Sequence, residues 1–264
     1  MDPRAKQALL GLPGDGAASK GAAERPRPEP VPEAGDFFGA PFRDFQHAGG
    51  VHVTGTRLWC DAARKNGLNF LSSARAGEVG KNRRVLCTEG THRLATRGRG
   101  KLEALIAPYD QPLTVGELEL SLHPAGHVLG AAQVRIVREG RVLVYAGEIY
   151  TRPSATALAA EPVRCDALAL HATLARPDIA FPAREDVLKE ICDFVDASLA
   201  ERRTPVLLAQ PVGVAQELVV HLGRAGYRLR LQRSIADVAK IYAALDVTVP
   251  DYKRFTNRVS RGEV

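Results

Sequence analysis

Two histidines four residues apart, His123 and His127, stand in the run HPAGH, and a carboxylate, Glu148, follows at the end of the apolar run RVLVYAG. A third histidine, His171, lies near the end of CDALALHAT (165–173), and Asp61 closes the short run TRLWCD. Imidazole nitrogens and carboxylate oxygens are the donors that hold zinc, and three or four of them converging on one point make a hydrolytic metal centre. His127 and Glu148 form the stronger pair, and His123 and His171 are weaker donors that can project toward the same sheet edge. The same residues also fit a purely structural arrangement. In that arrangement His127 and Glu148 pair with each other, and backbone groups satisfy His123 and His171.

The elements that must position these side chains begin with a hairpin. AAQVRIV and RVLVYAG are strand-like runs joined by Arg138-Glu139-Gly140, so a loop histidine and a strand-end carboxylate come side by side. Upstream, VHVTG, TRLWCD, LNFLSS (68–73) and RVLCT (84–88) read as strands, EGTHRLAT as a helix start, and ALIAPYD and LTVGELELSLHP as further strands broken at Gly and Pro. CDALALHAT is one more buried strand.

Further on the pattern changes. Val187, Ile191, Phe194, Val195 and Leu199 recur at helical spacing within 183–203. PVLLAQ (205–210) reads as a strand and VGVAQELVVHLGRAG as a helix with Gly226 as its C-cap. YRLRLQ is a strand, SIADVAKIYAALDV a helix opened by Ser234 with Asp237 three residues on, and TVP a last short strand. The expected class is α/β: a β-rich part over 46–180, then part of a parallel α/β unit over 181–264. The Pro- and Gly-rich residues 1–45 read as a disordered tail, with ordered structure from about Gly50. DFFGAPFRDFQ, with four phenylalanines, reads as a docking segment or as a linker that packs its rings on the domain.

A chain of 264 residues with 45% hydrophobic content suits one large domain or one and a half. No apolar run approaches membrane-spanning length, and the N-terminus lacks the apolar core of a signal peptide. Cys60, Cys87, Cys165 and Cys192 form no CxxC pair, so reduced thiols in a cytoplasmic protein are expected, with neither a zinc knuckle nor a disulfide framework. The formal charge of +6 permits a nucleic-acid partner.

The runs LWCDAARKNGLNFLSSARAG, SLHPAGHVLGAAQV, VLVYAGEIY, EPVRCDALALHAT and VLLAQPVGVAQELVVHLGRAG occur in that order. Together they resemble metallo-β-lactamase-fold nucleases of the β-CASP group. The closest branch is the bacterial exonuclease-like one, related to mRNA 3′-end processing nucleases. The resemblance covers about residues 50–255. It implies an αββα sandwich, incomplete here, followed by part of a β-CASP-like α/β domain. In active members two zinc ions generate a hydroxide that attacks a phosphodiester.

Where the family's His-x-His-x-Asp-His cluster belongs, this chain carries Ser73, Arg75, Gly77 and Glu78. Arg75 puts a permanent cation where dications would bind. By the same resemblance, Asp61 keeps a supporting position and His127 the single-histidine ligand position. Glu148 stands at the bridging Asp, one methylene longer, although zinc sites tolerate only about 0.2 Å in ligand distance. His171 stands where the family has an acidic residue. The family's later histidine motifs would follow about residue 255 and are missing. The resemblance therefore implies a degenerate, C-terminally truncated homologue, a pseudoenzyme with Asp61, Glu148 and His171 as relics. No cofactor is expected, or zinc if a residual site persists. The alternative is a metal-dependent phosphodiesterase with a rebuilt site.

Basic residues gather in KNRR (81–84), THRLATRGRGK (91–101), RAGYRLRLQR (224–233) and DYKRFTNRVSR. Tyr227, Tyr252 and Phe255 interleave with these charges, as in proteins that stack bases and pair phosphates. Arg83, Arg84, Arg97, Arg99, Lys101, Arg228 and Arg230 are the candidate contacts to RNA or DNA. Other expected partners are an active nuclease homologue or a chain that supplies the missing C-terminal part. No membrane is expected.

Overall fold

A computed structural model of the chain describes residues 44–63, 67–75, 84–97, 102–256 and 260–264. The first sheet runs β1 (Phe45–His47), β2 (Val51–Val53), β3 (Leu58–Cys60), β4 (Leu68–Phe70), β5 (Arg84–Cys87) and β6 (Glu103–Ile106), adjacent in that order. Its first two pairings are antiparallel and the next three parallel. The second sheet holds β7 (Leu113–Val115), β8 (Leu118–Pro124), β9 (Ala132–Arg138), β10 (Arg141–Gly147) and β11 (Ala167–Leu170). All its pairings are antiparallel except β10 with β11.

Side-chain alternation explains why the sheets stack. Val53, Leu58, Phe70 and Leu86 of the first sheet meet Leu120, Leu122, Val134, Ile136 and Leu143 of the second in one core. Each fully buried aliphatic side chain there contributes roughly 1.5–3 kcal/mol. Phe70 meets Tyr145 edge to face across the core, with ring centroids 6.3 Å apart. The alternate residues Val85 and Cys87 point to the outer face. There α1 (Glu89–Thr96) covers them with Ala95. Thr88 starts α1 by accepting from the Thr91 N–H. The hairpin between β9 and β10 turns on Glu139 (φ 52°) and Gly140 (φ 75°), the two left-handed residues that a two-residue hairpin turn requires.

The remaining elements are α2 (Arg184–Ala200), α3 (Val214–Arg224), β12 (Leu229–Leu231), α4 (Arg233–Ala243) and β13 (Tyr252–Arg254), with β12 and β13 paired in parallel. The architecture is mixed α/β, with four helices and several sheets among the described residues. Leu94 of α1 packs on Val238 and Tyr242 of α4, and the Arg97 guanidinium donates to the Ser234 carbonyl at 2.9 Å. Helix α3 ends in a Schellman motif: Gly226 (φ 86°) donates to the Gly223 carbonyl and Tyr227 to that of Leu222. No helix among the described residues is long and apolar enough to cross a membrane.

Several expectations need correction. The described residues already form β1 before Gly50, and the Phe45 ring, only 8% exposed, belongs to the sandwich core. Residues 1–43, and with them most of DFFGAPFRDFQ, lie outside the described residues. PVLLAQ forms no strand: β13 holds one edge of β12, and residues 263–264 hold the other. The last strand lies at 252–254 and not at TVP. Ser234 does not cap α4, because the helix already starts at Arg233 and its N-cap is Gln232, with no side-chain cap bond. On α2 the buried residues are Cys192, Val195 and Ser198, while Phe194 is 49% exposed.

Candidate functional site

At one end of the sandwich a cleft of about 400 Å³ opens between the two sheets, lined by Asp61, Ser73, Arg75, Tyr145, Glu148 and His171 among others. Asp61 sits just past β3 in the left-handed region (φ 48°), which a short polar side chain tolerates. Its turn is pinned by buried Asn69, which accepts from Ala62 N–H at 3.0 Å and donates back to the Ala62 carbonyl at 3.3 Å. Its carboxylate accepts from Ser72 N–H (2.8 Å), Ser72 Oγ (2.5 Å) and the Tyr145 hydroxyl (2.8 Å). Burial raises the Asp61 pKa, and the Ser72 and Tyr145 hydrogen bonds offset part of that rise.

His127 stands in the loop between β8 and β9 at φ 63°. Gly126 beside it packs so close to the Tyr150 carbonyl that a Cβ has no room. His127 Nε2 lies 2.6 Å from Glu148 Oε2, while His171 Nδ1 is 3.9 Å from Glu148 Oε1. Burial lowers the His127 pKa, Glu148 opposes that, and Arg75 adds to the lowering, so the ring tends to stay neutral. Glu148 leaves β10 just after Gly147 (φ 57°), where a Cβ would collide with Ser72 Oγ.

The structure brings Asp61, Glu148 and His171 to one cleft, with His127 against Glu148, and leaves His123 elsewhere. His123 faces Asp110 (Nδ1 to Oδ1, 2.6 Å) and Ser121 (2.9 Å). His171 meets the Thr173 hydroxyl at 2.6 Å. The partners of both are thus side chains, not the backbone groups expected. Ser73 is buried and its Oγ accepts from Arg75 N–H at 3.2 Å. Gly77 and Glu78 lie outside the described residues. This donor set does not fit a two-zinc centre. His127 Nε2 faces a carboxylate, the Asp61 oxygens carry three hydrogen bonds, and Arg75 brings a fixed positive charge. Among the described residues no three His, Cys, Asp or Glu side chains come together to hold a metal ion.

Of the candidate nucleic-acid contacts, Arg83, Arg99 and Lys101 lie outside the described residues. Arg84 is exposed at the start of β5. Arg97 ties α1 to α4, and Arg230 pairs with buried Glu263 at 2.7 Å. Arg228 is exposed and donates to the Arg261 carbonyl at 2.9 Å. The Tyr227 and Tyr252 hydroxyls are taken up within the chain, donating to exposed Asp196 (2.9 Å) and to the Ala236 carbonyl (3.3 Å), whereas Phe255 is 47% exposed.

A second polar centre escaped the sequence reading. Glu217 of α3 accepts from Arg184, from Thr156 and from Ser154 (2.5 Å), with His221 Nε2 at 3.5 Å. Burial pushes the carboxyl up, but hydrogen bonds from His221, Ser154 and Thr156 and the Arg184 charge outweigh it and hold the pKa at about 2. The i,i+4 spacing of Glu217 and His221 was the only local signal; Arg184 and residues 154–156 join through tertiary contacts.

No protein-family model matches the chain. Over 227 residues, 84% of its length, the chain is 26% identical to a protein of Opitutus terrae (strain DSM 11246 / JCM 15787 / PB90-1) named "Probable DNA ligase", of which it spans 22%. Among solved structures it is similar to a protein of unknown function from Enterococcus faecalis V583, at 14% identity and a TM-score of 0.47, over 75% of this chain and 54% of that one.

Proposed function

We propose that the chain is a catalytically degenerate homologue of zinc-dependent β-CASP nucleases that binds nucleic acid without cutting it. The observation that carries this reading is the cleft. A two-sheet sandwich presents His127 and Glu148 from the two ends of one hairpin, yet they face each other at 2.6 Å beside the Arg75 cation. A cleft that carries a guanidinium in place of metal retains an attraction for phosphate without a hydroxide source. DNA is the favoured partner, because the similar Opitutus terrae protein is named as a probable DNA ligase. In this reading the chain works in the cytoplasm and holds DNA ends near a strand-joining enzyme.

The test pairs binding with chemistry. Labelled single-stranded DNA should bind with an affinity that falls steeply with salt, since each neutralised phosphate releases counterions. Purified protein should hold zinc well below stoichiometry and leave the strand intact. The rival reading, a residual metal-dependent hydrolase, draws on the nearness of His171 to the His127–Glu148 pair. Stoichiometric zinc, with cleavage abolished by His127→Ala, would establish that rival in its place.

A further inference from the structure

Ser121 and His123 stand two residues apart on β8 and so share one face of the strand. Leu120 and Leu122 belong to the sandwich core, which makes the Ser121 face the outer one. Ser121 Oγ lies 2.9 Å from His123 Nε2, and Asp110 Oδ1 lies 2.6 Å from His123 Nδ1. Asp110 is brought there by its backbone: its N–H donates to the Leu122 carbonyl at 2.8 Å, and it takes φ 60°. None of these three residues lines the Asp61–Glu148 cleft.

The partners fix the tautomer. A carboxylate only accepts, so the Nδ1 that faces Asp110 carries the ring proton, and Nε2 keeps a lone pair that accepts from the Ser121 hydroxyl. This is the order of hydroxyl, base and orienting carboxylate that activates a serine. Arg135 stands directly across from Ser121 in the β8–β9 register, so its side chain leaves from the same face. Its guanidinium approaches Glu119 only to 3.7 Å, beyond hydrogen-bond length. Gln133, across from His123, is held by the Pro124 and Glu161 carbonyls and does not compete for the imidazole. Ser121 is 7% exposed, while the side chains of His123, Arg135 and Asp110 are 19%, 30% and 59% exposed, so the cluster meets solvent.

We propose that Ser121, His123 and Asp110 form a separate acyl-transfer site that hydrolyses small, activated carboxylic esters. Ser121 Oγ bonds to the ester carbonyl carbon while its proton passes to His123 Nε2. Arg135 supplies positive charge for the oxyanion that develops. As the bond from that carbon to the leaving oxygen breaks, Nε2 hands the proton to the leaving oxygen. Water then adds to the acyl-serine and gives a proton to Nε2; the carboxylic acid departs as Oγ takes that proton back. Ser121 and His123 touch the reacting atoms, and Asp110 is a positioning residue that holds the ring and its tautomer. A serine this buried admits only a short acyl chain, such as acetyl. The site is independent of the DNA reading, because it uses no residue of the Asp61–Glu148 cleft.

Two probes are applied to the full chain: a small alkyl fluorophosphonate, which labels activated serines, and p-nitrophenyl acetate. The folded chain takes the phosphonyl adduct on Ser121, located by peptide mass spectrometry, and the urea-unfolded chain does not. Ser121→Ala abolishes the adduct and the ester hydrolysis above background. His123→Ala slows adduct formation by about a hundredfold or more, the range for a general base. Asp110→Asn lowers kcat for p-nitrophenyl acetate about a hundredfold with KM unchanged, a split that loosened packing does not produce. Absence of the adduct from Ser121 in the unaltered, folded chain overturns the proposal, whatever the variants do. So does an adduct rate unchanged by His123→Ala in a cooperatively melting variant, or a kcat unchanged by Asp110→Asn.

Discussion

The Tyr145 hydroxyl, on the second sheet, donates to Asp61 Oδ2, at the end of a strand of the first sheet, across 2.8 Å. This bond closes the floor of the cleft and ties the two sheets together where no backbone ladder can. Tyr145→Phe should destabilise the fold by about 1.5–3 kcal/mol, the range for a hydrogen bond to a charged group, read from urea unfolding. The pH dependence follows from the raised Asp61 pKa. The fold favours the protonated carboxyl, so this group's contribution is greatest below the ordinary carboxylate range and declines as pH rises through the raised value. Without the Tyr145 donor that decline extends to higher pH, which melts of both proteins across pH would reveal.

Glu217 behaves in the opposite sense. Its pKa is held at about 2, against an ordinary value of 4.5. The stability it provides is fully present above the ordinary value and is lost as pH falls through about 2. That difference corresponds to roughly 3 kcal/mol at neutral pH. Glu217→Gln should lower stability by about that amount and flatten the acid limb of the stability profile; an unchanged acid limb would show that the cluster is not tied to folding.

Arg75 lowers the pKa of His127 through its charge. Removing it in Arg75→Ala should raise the imidazole pKa, followed by the ring-proton shifts in an NMR titration. If the histidine titrates at the same pH in both proteins, the guanidinium does not reach the cleft in solution.

The basic residues should separate by experiment. Arg97→Ala removes the bond to the Ser234 carbonyl and should cost about 1 kcal/mol of stability while leaving the salt slope of DNA binding unchanged. Arg228→Ala, at an exposed position, should reduce that slope by about 1 and leave the melting temperature near its original value.

Local chemistry made much of the fold legible. The β9–β10 hairpin was readable because Glu139-Gly140 can be only a tight turn between apolar runs, and the end of α3 because Gly226 suits a left-handed cap. The fate of PVLLAQ was not readable. Its composition is that of a buried strand, but whether it pairs depends on which segment takes the edges of β12, and Val264 is far away in sequence. The candidate site divides the same way. Asp61, Glu148 and His171 were marked by residue type at strand ends. The position of His123 beside Asp110, and of Arg97 and Arg230 in structural bonds, came from contacts that no local pattern encodes.

The loop that carries His127 is fastened at two places. Thr88 and Thr91 both donate their hydroxyls to the Gly130 carbonyl, at 2.5 and 2.8 Å, which fixes one side of the loop to the start of α1. On the other side Val128 packs against Val212 and so close to Gly213, just before α3, that a Cβ at Gly213 would lie 2.7 Å from it. The loop is thus a short lever with one arm tied to the start of α1 and the other wedged against Val212 and Gly213. Any rotation of the helices relative to the sheets must press on Val128, and the next residue along that arm is the imidazole facing Glu148.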